Sequence, residues 1–161
     1  PDAALILLEY GDYECAASAN AYPLVKHLIE SFGDQMKLVY RHFPINEIHP
    51  HAELAAEAAE ATGAQGSFWG MHNLLFANSS HLKLTALLSY AEQLELDMTR
   101  FKAEMQDRIY LQRVQEHRQS GDLLELRGTP TFFLNGKMID VSFGLDHLED
   151  AVYAAVKNIA N

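Results

Sequence analysis

One cysteine stands in a chain of 161 residues, and its isolation excludes much. An internal disulfide needs two cysteines, so the fold must stand on packing. Zinc sites built from paired cysteines are excluded with it. Cations are scarce too. There are 12 Lys and Arg against 22 Asp and Glu, a formal net charge of −10 at pH 7. Such a surface repels phosphate backbones, and no basic stripe interrupts it, so nucleic acid is not an expected partner. No apolar run approaches the roughly 20 residues of a membrane-spanning helix, so no membrane span is expected. Nor does a basic-then-apolar leader follow Pro1. Export removes a leader, so this leaves the compartment open, with the cytoplasm favoured over the periplasm or other extracytoplasmic space.

What is present suits one globular domain, or a domain with an elaborated insertion: 48% of residues are hydrophobic and 21% charged. "AALILLEY" (Ala3 to Tyr10) is a short continuous apolar run ended by Gly11 and Asp12, the pattern of a buried strand. "AASANAYPLVKHLIESFG" reads as a helix, with Leu24, Val25, Leu28, Ile29 and Phe32 on one face, Gly33 as its stop and Pro23 as a kink. "MKLVYRHFP" is a second strand closed by Pro44, which completes a βαβ unit with parallel strands. The middle is helical throughout: residues 51–63, 67–78, 84–97, 98–106 and 108–126. "TPTFFLNGKMIDV" then carries strands at Thr131–Leu134 and Lys137–Asp140 around Asn135-Gly136, a hairpin signal. "LDHLEDAVYAAVKNIA" closes as an amphipathic helix. The two ends together predict one mixed α/β sheet covered by helices. Residues 1–48 and 125–161 would form that domain, and 49–124 an inserted helical subdomain.

Cys15 falls where the first strand gives way to its helix. The first turn of a helix leaves N–H groups unpaired and favours negative charge, which stabilises a thiolate. Ser18 stands one turn on and could donate a hydrogen bond to the sulfur. Asp12 and Glu14 flank it and oppose ionisation. The plain alternative is a small buried hydrophobe. Glu9 ends the first strand on the approach to this loop, either as a buried acid that moves protons or as a solvated strand-end carboxylate. In the second half, Thr129-Pro130 sits directly before a strand, where a cis bond would turn a backbone edge towards a neighbouring loop. His49-Pro50-His51 lacks a companion cluster of cysteines or acids, so no metal site is expected there. His42 and His72 read as satisfied core or groove residues. Phe68, Trp69, Met71, Leu74, Leu75 and Phe76 read as core, with a weaker option of lining a peptide groove.

These pieces together resemble the DsbA-like proteins of the thioredoxin superfamily. "LLEYGDYECAAS" is similar to that family's strand and Cys-x-x-Cys motif, "VYRHFP" to its next strand, "HPHAELAAEAAEATGAQGSFWGMHNLLF" to its inserted helices, and "GTPTFFLNG" to its cis-proline loop and hairpin. The resemblance spans essentially the whole chain. It implies a thioredoxin-like mixed sheet flanked by helices, with a helical insertion, and thiol–disulfide exchange as the chemistry. Carried over, Cys15 matches the nucleophile, Ser18 the resolving cysteine, and Thr129 and Pro130 the substrate-docking loop.

The departure matters as much as the match. Exchange passes through a mixed disulfide that a second thiol resolves. Ser18 cannot do so, and Ala16-Ala17 replaces the usual residues between the cysteines. Turnover would need an external thiol such as glutathione as co-substrate, with protein or peptide thiols and disulfides as partners and no bound cofactor. Two other readings stay open. In one, the groove binds a peptide or partner and Cys15 is idle. In the other, two chains hold a glutathione-ligated iron–sulfur cluster on Cys15.

Overall fold

The structure, a computed structural model, describes residues 3–161. The N-terminal apolar run forms β1 (Leu5–Gly11). The helix α1 (Ala16–Phe32) follows and leads through a 3-10 turn at Gly33–Gln35 into β2 (Met36–His42). Five helices come next: α2 (Ala52–Gly63), α3 (Phe68–Ala77), α4 (Leu84–Gln93), α5 (Met98–Gln106) and α6 (Leu111–Leu123). The chain returns as β3 (Thr131–Leu134) and β4 (Lys137–Ile139), then closes with α7 (Asp146–Ile159).

The strands form one mixed sheet in the order β2-β1-β3-β4. β1 and β2 are parallel, with Leu5 beside Met36 and Gly11 beside His42. β3 runs antiparallel to β1, Tyr10 opposite Thr131 and Leu7 opposite Leu134, and β4 antiparallel to β3. Asn135 and Gly136 make the turn at φ 49° and 82°, the paired positive angles of a two-residue hairpin. The Asn135 side chain also ties the hairpin to β1, its Oδ1 accepting the Ile6 N–H at 2.7 Å.

Two apolar cores flank this sheet. Leu5, Leu7, Met36, Phe132 and Leu134 meet Ala21, Val25 and Leu28 of α1 and Leu148 and Val152 of α7. The other core lies within the inserted helices, where Ala55, Ala58 and Ala59 of α2 let Met71, Leu75, Leu87 and Phe101 approach closely. Each fully buried side chain of Leu or Phe size contributes about 1.5–3 kcal/mol. Tyr13 and Tyr40 belong to this second core, so the insertion packs directly on the β1–α1 loop and on β2.

The sequence reading needs small corrections. β1 begins at Leu5 rather than Ala3, and β4 ends at Ile139. The helix expected over 84–97 stops at Gln93, because Glu95 turns left-handed (φ 57°) and Asp97 caps a new helix by accepting the Arg100 N–H at 3.1 Å. Arg108 (φ 51°) and Glu125 (φ 58°) bound α6 in the same way. α1 runs unbroken through Pro23. Trp69, expected in the core, is 46% exposed, because it faces outward from α3 while Met71, Leu75 and Phe76 face in. His42 is buried but not satisfied: neither ring nitrogen has a hydrogen-bond partner among the described residues.

Gly11 marks the tightest approach at the end of β1. A methyl group on its Cα would lie 2.6 Å from Cε2 of Tyr40, and closer still to the hydroxyl. Gly11→Ala is therefore expected to cost about 1–3 kcal/mol by overpacking, read as a lower urea midpoint with an unchanged slope. An unchanged midpoint would contradict this contact.

Candidate active site

β1 ends at Gly11, and after four intervening residues α1 begins at Ala16, with Cys15 as its N-cap in extended conformation (φ −75°, ψ 123°). The Cys15 carbonyl already accepts the Ala19 N–H at 3.0 Å, so its side chain stands at the open end of the helix. Cys15 as a residue is half-buried. Its thiol donates to the Thr129 carbonyl at 3.5 Å, across 114 positions of sequence. Antiparallel pairing of Tyr10 with Thr131 makes that contact, because the loop before β3 lies beside the loop after β1. The Thr129-Pro130 peptide bond is cis. Cys15, Thr129 and Pro130 therefore share one end of the sheet. An open groove of about 510 Å³ runs beside them, lined by Ala17, Leu126, Arg127, Thr129, Pro130 and Met138 among others.

Ser18 is fully buried one turn into α1. Its Oγ accepts the Asp12 N–H at 3.4 Å. Among the described hydrogen bonds none joins it to the Cys15 sulfur, whose partner is Thr129. Ser18 thus ties the start of α1 back to the loop that carries the cysteine.

Glu9 is 2% exposed, which overturns the solvated reading of this carboxylate. Its Oε2 has no hydrogen-bond partner among the described residues, and burial pushes its pKa up to about 8. The group is therefore mostly protonated at neutral pH, six residues before the cysteine. Tyr40, its neighbour on β2, carries a buried hydroxyl that also lacks a partner.

The two acids beside Cys15 are not bare charges. Asp12 Oδ1 accepts the N–H groups of Glu14 (2.8 Å) and Cys15 (3.2 Å). Its Oδ2 accepts from Ile45 N–H (2.9 Å) and lies 2.7 Å from His49 Nδ1. Glu14 accepts the His51 N–H at 2.8 Å and lies 3.3 Å from His51 Nδ1. His49 and His51, considered in the sequence only as metal ligands, instead hold the cysteine loop from the opposite side. No periodicity announces such a role, since the partners are 37 positions apart.

Tyr13 fixes the same loop from below. Its hydroxyl pairs with His72 Nδ1 at 2.8 Å, and its ring stacks on Tyr40 at 5.3 Å. Burial holds His72 near a pKa of about 3, so it is neutral at physiological pH. A further cluster lies away from the sulfur. His42, Glu60 and His117 each bring a ligand-type atom within 4.8 Å of the others. His117 Nδ1 accepts the His42 N–H at 3.2 Å, and Arg113 faces Glu60 at 3.8 Å. His117 Nδ1 and Glu60 thus each have a partner, while neither ring nitrogen of His42 has a hydrogen-bond partner among the described residues. His117 carried no signal in the sequence that would have singled it out.

Comparison with known proteins agrees with this geometry. A family model described as thioredoxin matches residues 1–154. The Na(+)/H(+) antiporter NhaA 1 of Salinispora arenicola (strain CNS-205) is 43% identical over 154 residues, which cover 96% of this chain and 24% of that protein. The chain thus spans about a quarter of the length of this curated relative. Among solved structures, a thioredoxin-like oxidoreductase from Silicibacter pomeroyi DSS-3 superposes with a TM-score of 0.82 at 26% identity, over 98% of this chain and 89% of that one. The thiol-disulfide exchange protein alpha-DsbA2 from Wolbachia pipientis shares the fold, with a TM-score of 0.82 at 18% identity over 95% of this chain and 82% of its own. With the strand order, the helices between β2 and β3 and the cysteine at the head of α1, the match shows that the chain belongs to the thioredoxin family.

Proposed function

We propose that this chain is a monothiol thiol–disulfide oxidoreductase. The observation that carries the reading is the half-buried Cys15 at a helix start, its sulfur 3.5 Å from the Thr129 carbonyl. The Cys15 thiolate attacks one sulfur of a protein or peptide disulfide. A Cys15–substrate disulfide forms, the substrate's S–S bond breaks, and the electron pair leaves on the second substrate sulfur, which takes a proton. Ser18 cannot attack the mixed disulfide, so an external thiol such as glutathione does. It forms a bond to the substrate sulfur and returns the electron pair to Cys15. Thr129 and Pro130 offer the backbone edge on which the substrate docks. Glu9, protonated at neutral pH, supplies and recovers the proton during exchange. The rival reading, a peptide- or partner-binding module with an idle thiol, keeps the groove and drops the chemistry.

A gain of function separates the two. Ser18→Cys should let the protein reduce a test disulfide in a single turnover without external thiol, whereas the natural chain should stop at the mixed disulfide. Cys15→Ser should abolish both reactions with the fold intact, read by circular dichroism. If Cys15 of the natural chain fails to react with any disulfide near neutral pH, the binding module is the better account.

Glu9 makes a second prediction. Its folded pKa is raised from 4.5 to about 8, so the stability tied to its neutral form is complete below about pH 4.5 and is lost as pH rises through 8. His42, His72 and His117 are lowered by burial, so their contribution is complete above about 6.5 and is lost only on acidification. Between pH 6.5 and 8.5 the Glu9 effect therefore stands alone among these four. The natural chain should lose on the order of 2 kcal/mol over that range, and Glu9→Gln should lose much less. An equal loss for the natural chain and for Glu9→Gln, read from urea midpoints at the two pH values, would contradict a buried, uncharged Glu9.

A further inference from the structure

We propose that His49 is a positioning residue for the Cys15 thiol, acting through Asp12; this rests on the monothiol reading above. The Asp12 carboxylate is buried, and its two oxygens face opposite ways. Oδ1 holds the N–H groups of Glu14 and Cys15, which fixes the cap of α1 and the direction in which the sulfur leaves it. Oδ2 is held by the Ile45 N–H and by His49 Nδ1 at 2.7 Å, the shortest of its contacts. The backbone Cys15 N–H to Asp12 carbonyl contact at 3.1 Å closes the same turn.

A carboxylate three residues from an ionising sulfur opposes the thiolate unless its own charge is spread over donors. His49 is the only side-chain donor among its described contacts; the others are backbone N–H groups that the fold fixes in any case. With Nδ1 donating, Oδ2 is tied to the segment after β2 while Oδ1 stays on the Cys15 amide. The described hydrogen bond of the His49 side chain is to this carboxylate, so its effect on the thiol runs through Asp12. The partly exposed imidazole sits on the segment after β2, so the loop after one parallel strand sets the geometry of the loop after the other. Glu14 and His51 repeat the tether beside it.

The test reads the thiol without a substrate: the second-order rate of Cys15 with iodoacetamide at neutral pH. His49→Leu should slow it about tenfold, by leaving a buried carboxylate short of one donor beside the developing thiolate. His49→Asn places an N–H where Nδ1 stood and should restore the rate to within about twofold, which a merely packed side chain would not do. Asp12→Asn added to His49→Leu should also recover most of the loss, because the charge is gone. If His49→Leu reacts as fast as the natural chain, or if Asn fails to rescue, the proposal is overturned. An inert thiol in the natural chain would instead defeat the monothiol reading, so the two failures are distinguishable. Should His49→Leu not fold, nitrogen-15 NMR of the natural chain decides: Nδ1 should carry the proton, and its resonance should shift when Cys15 is alkylated. A resonance indifferent to alkylation would overturn the assignment.

Discussion

The antiparallel pairing of β1 with β3 is the constraint on which the site depends. It joins Tyr10 to Thr131 across some 120 residues, and with them the loop that carries Cys15 to the loop that carries Thr129 and Pro130. Loop-closure cost grows only with the logarithm of length, so five helices can be threaded between the paired strands at modest expense. The insertion is not idle mass. Its core takes in Tyr13 and Tyr40, and its His72 holds the Tyr13 hydroxyl, so the cysteine loop is buttressed from the helical side as well as from the sheet.

The polar groups at the end of the sheet divide into two kinds. Each oxygen of Asp12 and Glu14 faces a donor, which weakens the opposition of a flanking pair of acids to an ionised thiol. Glu9 and Tyr40 are buried with one oxygen each that has no hydrogen-bond partner among the described residues. A fold that leaves a carboxyl in that condition forgoes stability there, and burial alone moves its titration into the range where it can exchange protons near neutral pH.

Much of this was legible in the sequence. The apolar run of β1, the period of α1 and its Gly33 stop, and the Asn135-Gly136 turn each carry a local signal that matches the structure. Cys15 at the cap of α1 followed from the strand's end, and the neighbourhood of Thr129 and Pro130 from the resemblance. The helix ends at Glu95, Arg108 and Glu125 were not legible, because ordinary residues there adopt a left-handed turn that only tertiary packing selects. Ser18 was misread as the sulfur's donor because spacing puts it one turn away but does not say that it faces Asp12. His49 and His51 were seen as a motif without a role, since their acids lie on another loop.

The central claim is that a lone thiol at this sheet end does exchange chemistry and halts where a second thiol is missing. Intact-mass spectrometry of the natural chain mixed with a short disulfide-linked peptide, with no other thiol present, tests it most directly. The account predicts a one-to-one mixed disulfide on Cys15 that accumulates and persists until reduced glutathione is added, which then returns the free protein. A chain that stays unmodified while a small alkylating reagent still labels Cys15 would contradict it.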